Sequence, residues 1–286
     1  MLLIAGSAIV VLCVLGGYAA MGGKLYVLWQ PFEVVIICGA ALGAYVISNP
    51  KKVLKKTGKG FAVAAKGSTY NKDSYLELLS LLYSVFKLAK SKGMLALESH
   101  IENPKESSLF QQFPSFVKNE EAMTFLCDYL RLLTLGTDNP HEVETLIDAE
   151  LETHHHEHHM VAHAIQNVAD SMPALGIVAA VLGVIKTMGS ISEPPEVLGK
   201  LIGGALVGTF LGVWIAYGFI GPMANAMKTA YDADLKYLQC IKAGLLAHMQ
   251  GYPPQVSVEF ARKALLSNTR PTFYEVEEAT SKLLPV

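Results

Sequence analysis

The sequence has 286 residues, of which 51% are hydrophobic and 17% are charged, and its formal net charge is -2. This composition is more apolar than that of an ordinary soluble domain, and it predicts a protein embedded in a bilayer. The small negative charge excludes the concentrated basic face that nucleic acid binding requires. Four cysteines without a CxxC pair favour neither a disulfide framework nor a metal cluster.

Four apolar runs are long enough to cross a hydrocarbon core of about 30 Å, which takes about 20 helical residues. They extend over roughly Leu2–Ala20, Phe32–Ser48, Met172–Ser190 and Leu198–Ile220. The first run resembles a signal peptide in length, but no Lys or Arg precedes its apolar stretch and a second run follows closely. We therefore interpret all four runs as transmembrane helices.

The lysines beside these runs predict their orientation, because positively charged flanks stay in the cytoplasm. The second run is followed by six lysines, whereas the connection before it carries only Lys24. Both termini and the segment 49–171 are therefore predicted to be cytoplasmic. The fold prediction is an all-α integral membrane protein with four transmembrane helices and a helical cytoplasmic domain inserted between the second and the third. The predicted divisions are 1–48 (transmembrane helices 1 and 2), 49–171 (cytoplasmic domain), 172–222 (transmembrane helices 3 and 4) and 223–286 (cytoplasmic C-terminal helical segment).

Three amphipathic patterns predict the helices of the cytoplasmic domain. Apolar residues recur at three- and four-residue intervals from Asp73 to Glu98. A second helix is predicted over Glu120–Leu135, where Gly136 ends it. Asn139 followed by Pro140 is typical of a helix start, and it opens an acidic third helix.

The histidine run from His154 to His159 raises the possibility of a metal site. In a helix, His154 and His158 share a face at the i, i+4 spacing that can chelate zinc. The alternative is a solvated helix end whose charge responds to pH between about 5 and 7. No Glu lies in an HExxH arrangement, so we predict no metal, no cofactor and no catalytic residue, and we do not predict an enzyme. A metal-dependent membrane enzyme or metal carrier is the hypothesis from a different class.

Small residues form one side of the fourth run, where Gly204, Gly208 and Gly212 recur every four residues. In lipid, small residues allow close backbone approach, so this side predicts helix packing. Thr209 is a polar exception deep in the run. Pro173 and Pro222 stand near the ends of the third and fourth runs, and their spacing alone favours a first and a last helical turn without a hinge.

The interior of the membrane runs lacks an ionisable residue at mid-depth. Carriers of protons or ions normally place one there, because an ionisable group in the membrane interior is costly and hence usually functional. Glu33 and Lys186 fall toward the outer ends of their runs, and Asp170 precedes the third at the inner face. If ions cross here, a partner must supply the carboxylate.

Several stretches together resemble the MotA family, the membrane subunits of the bacterial flagellar stator within the MotA/TolQ/ExbB proton channel superfamily. The most specific are QPFEVVIICGA (30–40), HIENPKESSLF (100–110), DYLRLL (128–133), MPALGIVAAVLGV (172–184), GTFLGVWIAYGFIGP (208–222) and VEFARKALLSNTRPTF (258–273). The resemblance extends nearly colinearly from the first residue to about Leu283.

The resemblance implies a stator subunit of the flagellar motor in the bacterial inner membrane, which converts proton motive force into torque. It implies a homo-oligomer, commonly a pentamer, around a dimer of a MotB-like single-span partner that supplies the ion-carrying aspartate. The rotor protein FliG and membrane lipid are the other implied partners. The alternative is an ExbB or TolQ type proton channel subunit, although such chains have three spans and lack the segment around residues 90–98.

The resemblance also implies roles for residues of the membrane runs. Pro173 and Pro222 match family prolines associated with conformational change, so a hinge role replaces the interpretation from spacing alone. Thr209 matches a hydroxyl near the partner's aspartate, and Thr209, Ala180 and Pro173 are expected to line the ion pathway. Sodium-driven relatives tend to carry threonine at the position of Ala180, so its alanine favours protons.

In the cytoplasmic domain, the resemblance implies a rotor contact through Lys90 and Glu98. Better-known members carry arginine at the position of Lys90. The charge is kept while the planar guanidinium is lost, so we expect a contact of altered strength.

Overall fold

A computed structural model describes residues 2–283 of the chain, so Met1 and the last three residues of the predicted segment 223–286 lie outside it. The described residues form helices and no strand, which confirms the all-α prediction. The α-helices are α1 (Leu2–Ala20), α2 (Pro31–Ser48), α3 (Lys51–Lys66), α4 (Lys72–Lys92), α5 (Glu98–Glu102), α6 (Pro114–Val117), α7 (Glu120–Thr134), α8 (Pro140–Met188), α9 (Pro195–Ile215), α10 (Gly221–Met249), α11 (Pro254–Lys263) and α12 (Phe273–Ser281).

Four helical segments of the described chain are long and apolar enough to cross a bilayer, by length and composition. They are Leu2–Ala20, Leu25–Ser48, Pro140–Met188 and Pro195–Met249. The first two closely match the predicted runs, with a short 3₁₀ turn at Leu25–Leu28 ahead of α2. Pro140–Met188 ends two residues before the predicted end at Ser190, and Pro195–Met249 contains the fourth predicted run. Both extend well beyond the predicted runs on the polar side.

The chain divides into two compact units. Unit 1 comprises the chain up to Gly67 together with Glu157–Ala230, and unit 2 comprises Ser68–His156 together with the chain from Tyr231 onward. The boundaries predicted after residues 171 and 222 instead fall inside α8 and α10. The change from polar to apolar residues that suggested these boundaries reflects a change of solvent along a continuous helix, not the end of the helix.

Unit 1 is built on the packing of α2 against α9 and of α8 against α9. Its buried apolar cluster draws Ile37 and Ala41 from α2, Ala179 from α8, and Val207 and Leu211 from α9. By contrast, no residue of α1 is buried, and this helix is uniformly apolar. In a bilayer such a surface faces lipid at little cost, since lipid tails are as apolar as the side chains.

Unit 2 has a conventional hydrophobic core around α4. The side chains predicted to face inward along α4 are buried, among them Leu78, Leu82 and Phe86 at 0% exposure. The core continues through α7, α11 and the parts of α8 and α10 that belong to this unit.

The helix predicted over Asp73–Glu98 is shorter than expected. It ends at Lys92, because Gly93 adopts a φ of +84°, a left-handed conformation that favours glycine. A 3₁₀ turn over Met94–Leu97 and the short helix α5 follow. Lys90 and Glu98 are thus placed on either side of a turn instead of on one helix.

Candidate functional site

Helices α8 and α9 of unit 1 approach each other through glycine. A Cβ atom added to Gly176 would lie 2.8 Å from the carbonyl oxygen of Gly208 and 3.1 Å from the Cα of Gly212. One added to Gly212 would lie 2.6 Å from the carbonyl oxygen of Met172. Side chains larger than hydrogen do not fit between these backbones, so the glycines of both helices set the separation of α8 and α9. We call this the glycine contact.

Thr209 and Ala180 lie at this glycine contact. The Cα of Thr209 would be 3.3 Å from a Cβ on Gly176, and the backbone nitrogen of Ala180 would be 3.1 Å from a Cβ on Gly208. Ala180 is buried and Thr209 is half-buried. Pro173 follows Met172, whose carbonyl faces Gly212, so the three residues expected to line an ion pathway all belong to the two contacting helices.

Gly204 occupies a different environment from Gly208 and Gly212. A Cβ at position 204 would meet the side-chain amide of Gln30 at 3.1 Å, so this glycine accommodates the turn before α2. The neighbouring glycines of the adjoining track, Gly199 and Gly203, would have nothing within 4 Å of an added Cβ. Four-residue spacing alone did not distinguish these environments.

Glu33 is the residue at this site that sequence reasoning placed only at the outer end of a run. It lies in the first turn of α2 and is half-buried. Its carboxylate reaches both contacting helices: Oε2 would be 2.6 Å from a Cβ on Gly208, and Oε1 would be 3.4 Å from one on Gly183. Oε2 is buried without a hydrogen-bond partner among the described residues. The sequence signal was a carboxylate inside an apolar run, a placement that usually marks function.

Both prolines predicted to act as hinges lie inside continuous helices. Pro173 is in the interior of α8. Pro222 follows a π-helical turn over Ala216–Ile220, and the helix continues from Pro195 to Met249. The interpretation from spacing alone, a first and a last helical turn, is therefore wrong. A proline inside a helix has no N–H to donate to the carbonyl of the preceding turn. Immediately before Pro222 the helix forms a π turn, in which the Gly221 N–H bonds to the carbonyl of Ala216.

Lys90 and Glu98 are both exposed in unit 2, on the two sides of the Gly93 turn. In the same unit, the His248 ring stacks on Phe86 with a centroid distance of 4.7 Å. Burial lowers the pKa of His248, and the positive charge of Lys90 lowers it further. The region beside Lys90 therefore disfavours a second positive charge.

The histidine run lies within α8, as the helical prediction required. In unit 2, His154 Nδ1 is 3.0 Å from a carboxylate oxygen of Glu121, and its Nε2 is 3.7 Å from one of Glu150. These two contacts place the His154 ring between two carboxylates.

Long apolar helices that meet through glycine, with a carboxylate at one end of the contact, define a multi-pass helical membrane protein. Residues 4–93 match the Motility protein A N-terminal family, and residues 118–239 match the MotA/TolQ/ExbB proton channel family. Motility protein A of Salmonella typhimurium and that of Escherichia coli are each 44% identical over 278 residues, which cover 97% of this chain and 94% of theirs. The chain belongs to the motility protein A family.

Further relatives and solved structures agree with this assignment. Chemotaxis protein LafT of Vibrio parahaemolyticus is 36% identical over 273 residues, covering 96% of both chains. The fold is similar to the C. jejuni MotAB structure, with a TM-score of 0.77 and 21% identity over 94% of this chain and 98% of that chain. The flagellar MotAB stator complex from Bacillus subtilis gives a TM-score of 0.65 at 25% identity, covering 90% of this chain and 92% of that one.

Family membership confirms the resemblance found in the sequence. It makes the chain a flagellar stator subunit of the proton channel class in the inner membrane. The family is not a known enzyme class. The match over residues 4–93 lies outside the region shared with TolQ and ExbB. It therefore favours the stator over the ExbB/TolQ alternative.

Proposed function

We propose that this chain, together with a MotB-like single-span partner, forms a proton-conducting stator that drives the flagellar rotor. One observation carries the proposal: the sequence has no Asp, Glu, Lys, Arg or His between Asp170 and Lys186 on α8 or between Lys200 and Lys228 on α9 and α10. Proton transfer across the membrane requires a titratable group near mid-depth. The partner's aspartate supplies that group, and this chain supplies the wall beside it.

The glycine contact is suited to line the ion path, because it has few polar groups and these are confined to a few positions. Thr209 offers a hydroxyl, and Ala180 and Pro173 leave room beside it. The Glu33 carboxylate at the outer end of the contact acts as the entry group for cations. Its buried oxygen without a hydrogen-bond partner supports this role, since such an atom gains from a proton or a cation.

Torque generation also requires several copies of the chain. Each elementary charge that crosses 100 mV yields only about 2.3 kcal/mol, so useful work needs many small steps in a closed ring. We propose a pentamer around a partner dimer in the inner membrane, with lipid outside. Both termini and the segment 49–171 are cytoplasmic in this arrangement. Pro173 and Pro222 are the hinges, which their interior positions support because proline weakens a helix locally.

The rotor contact is proposed for the exposed residues Lys90 and Glu98, which would meet complementary charges on FliG. Opposite charges on either side of a tight turn can pair with a partner surface in one orientation, which favours specificity. The positive φ of Gly93 maintains the turn that separates them.

Charge reversal tests the rotor contact. We expect Lys90→Glu and Glu98→Lys each to reduce swimming speed and torque, while the amount of the protein in the membrane stays unchanged. Lys118→Glu is the matched control, because Lys118 is also an exposed lysine of unit 2. Normal swimming of both charge-reversal variants would refute the assignment.

A separate measurement tests the ion. Swimming speed recorded against external sodium at fixed pH should be flat, because Ala180 replaces the threonine that the resemblance associates with sodium. A steep dependence on sodium would overturn the proton assignment.

A further inference from the structure

Helix α3 begins only three residues after α2 ends, separated from it by Asn49 and Pro50. Two contacts hold it close to the end of α2: the Asn49 side chain donates to the carbonyl of Tyr45 over 2.8 Å, and the Tyr45 hydroxyl hydrogen-bonds to Thr57 on α3. Since α2 is one of the apolar segments able to cross a bilayer, α3 starts at the membrane surface.

The side chains of α3 separate into distinct faces at about 100° per residue. One face is packed inside unit 1 and consists of Val53, Thr57, Gly60 and Ala64. The adjacent face is apolar and at least partly exposed, with Leu54, Phe61 and Ala65, and we call it the apolar stripe. Phe61 is 37% exposed, although it is one of the most apolar residues of the helix.

Next to the apolar stripe lies a lysine stripe, which consists of Lys51, Lys55, Lys59 and Lys66. These four residues fall within about 80° of one another around the helix axis. All four are exposed, and none has an ion-pair partner among the described residues. The remaining two lysines of α3, Lys52 and Lys56, differ in that both bind the carboxylate of Glu157.

We infer that α3 is an interfacial helix that binds the headgroups of anionic phospholipids through its lysine stripe. An apolar stripe beside a basic stripe is the pattern of helices that lie in the plane of the membrane surface. The apolar stripe enters the boundary of the acyl chains while the lysine stem carbons extend alongside it and the ammonium groups reach phosphate. Basic segments immediately beside a span attract anionic lipid. Glu157 neutralises only the side of α3 that faces the protein, so the charge available to lipid is concentrated in the lysine stripe.

Native mass spectrometry of the full-length chain in detergent tests this inference, with dioleoyl phosphatidylglycerol as the probe and dioleoyl phosphatidylcholine as the comparison lipid. We expect the wild-type chain to retain phosphatidylglycerol in preference to phosphatidylcholine. In the variant Lys51→Gln/Lys55→Gln/Lys59→Gln, the concentration of phosphatidylglycerol for half-saturation should rise roughly a hundredfold, since each of the three lysines near an anionic surface changes the affinity about fivefold. Phosphatidylcholine binding should not change.

Two further variants separate charge from folding. The variant with arginine at the same three positions keeps the charge and should bind phosphatidylglycerol as the wild type does. A matched variant with glutamine at Lys105, Lys118 and Lys263, which are exposed in unit 2, loses the same net charge and should also bind normally. Equal phosphatidylglycerol affinity of the wild-type chain and the glutamine variant of α3 would overturn the inference. An equal loss in the unit 2 variant would overturn it as well, since net charge alone would then explain binding.

Discussion

Replacement of Gly212 by alanine tests the glycine contact directly. The added Cβ would lie 2.6 Å from the carbonyl oxygen of Met172 and 2.9 Å from the Cα of Gly176, where ordinary van der Waals contact begins at 3.4 Å. Both atoms belong to the backbone of α8, so no side chain can rotate away. The helices must separate locally by about 0.8 Å, the difference between 3.4 Å and 2.6 Å.

The energetic effect has two opposing parts. Overpacking of a close contact costs about 1–3 kcal/mol, and the higher helix propensity of alanine returns up to about 1 kcal/mol. We therefore expect Gly212→Ala to lower the free energy of unfolding by about 1–2 kcal/mol. The thermal midpoint of the purified chain in detergent should fall accordingly. Motility in soft agar should also decrease at a normal membrane level of the protein, because the proposed ion path runs along this contact.

Gly203→Ala is the matched control on the same helix, because an added Cβ at position 203 would have nothing within 4 Å. It should leave the thermal midpoint unchanged or raise it slightly. Gly208→Ala should be intermediate: its nearest neighbour is the movable end of Glu33, and its next contacts, Ala179 and Ala180, are at 3.1 Å. Equal thermal midpoints for Gly212→Ala and Gly203→Ala would refute the reasoning.

Two predictions concern ion pairs outside the glycine contact. Arg262 is 8% exposed and donates two hydrogen bonds of 2.7 Å to the carboxylate of Glu259. Because lysine cannot form this paired geometry, Arg262→Lys should lower the free energy of unfolding by about 1–3 kcal/mol. Thermal denaturation measures this loss, and an unchanged thermal midpoint would contradict it. Lys52 and Lys56 lower the pKa of Glu157 from 4.5 to about 2 through hydrogen bonds. Because the folded pKa is depressed, this pair stabilises the chain above about pH 4.5, and its contribution is lost as the pH falls toward 2. Glu157→Gln should therefore lower the thermal midpoint at pH 7 and progressively less at acidic pH, and a difference independent of pH would argue against the pair.

Sequence reasoning located most helices well where turn residues mark their ends. The helix after Asn119 ends at Thr134, one residue before the predicted end, because Gly136 adopts a φ of +95°. The start at Pro140 was likewise predicted from the Asn139-Pro140 pair, and the Asn139 side chain accepts from the His141 N–H. Local chemistry decides these positions, so the local sequence contains the information.

Features that depend on several helices were not predictable in the same way. The approach of Glu33 to Gly208 and Gly183 requires α2, α8 and α9 to be packed together, and no local pattern specifies that packing. The interior position of Pro173 was missed for a different reason. Polar residues such as Asp170 mark the end of an apolar run, but a helix can continue from lipid into water because its backbone hydrogen bonds are satisfied internally in both solvents.

The π turn over Ala216–Ile220 changes how substitutions along this helix should be aligned between relatives. The Gly221 N–H bonds to the carbonyl of Ala216, five residues earlier, so this turn contains one residue more than an α-helical turn. The every-fourth-residue stripe from Gly204 to Ala216 therefore passes to Gly221 and not to Ile220. Deletion of one residue in this turn would restore a regular α-helical turn and leave every following side chain on its present face, because Gly221 would then stand four residues after Ala216. A relative one residue shorter at this point would therefore present the equivalent side chains on the same face, and its alignment gap belongs inside the turn.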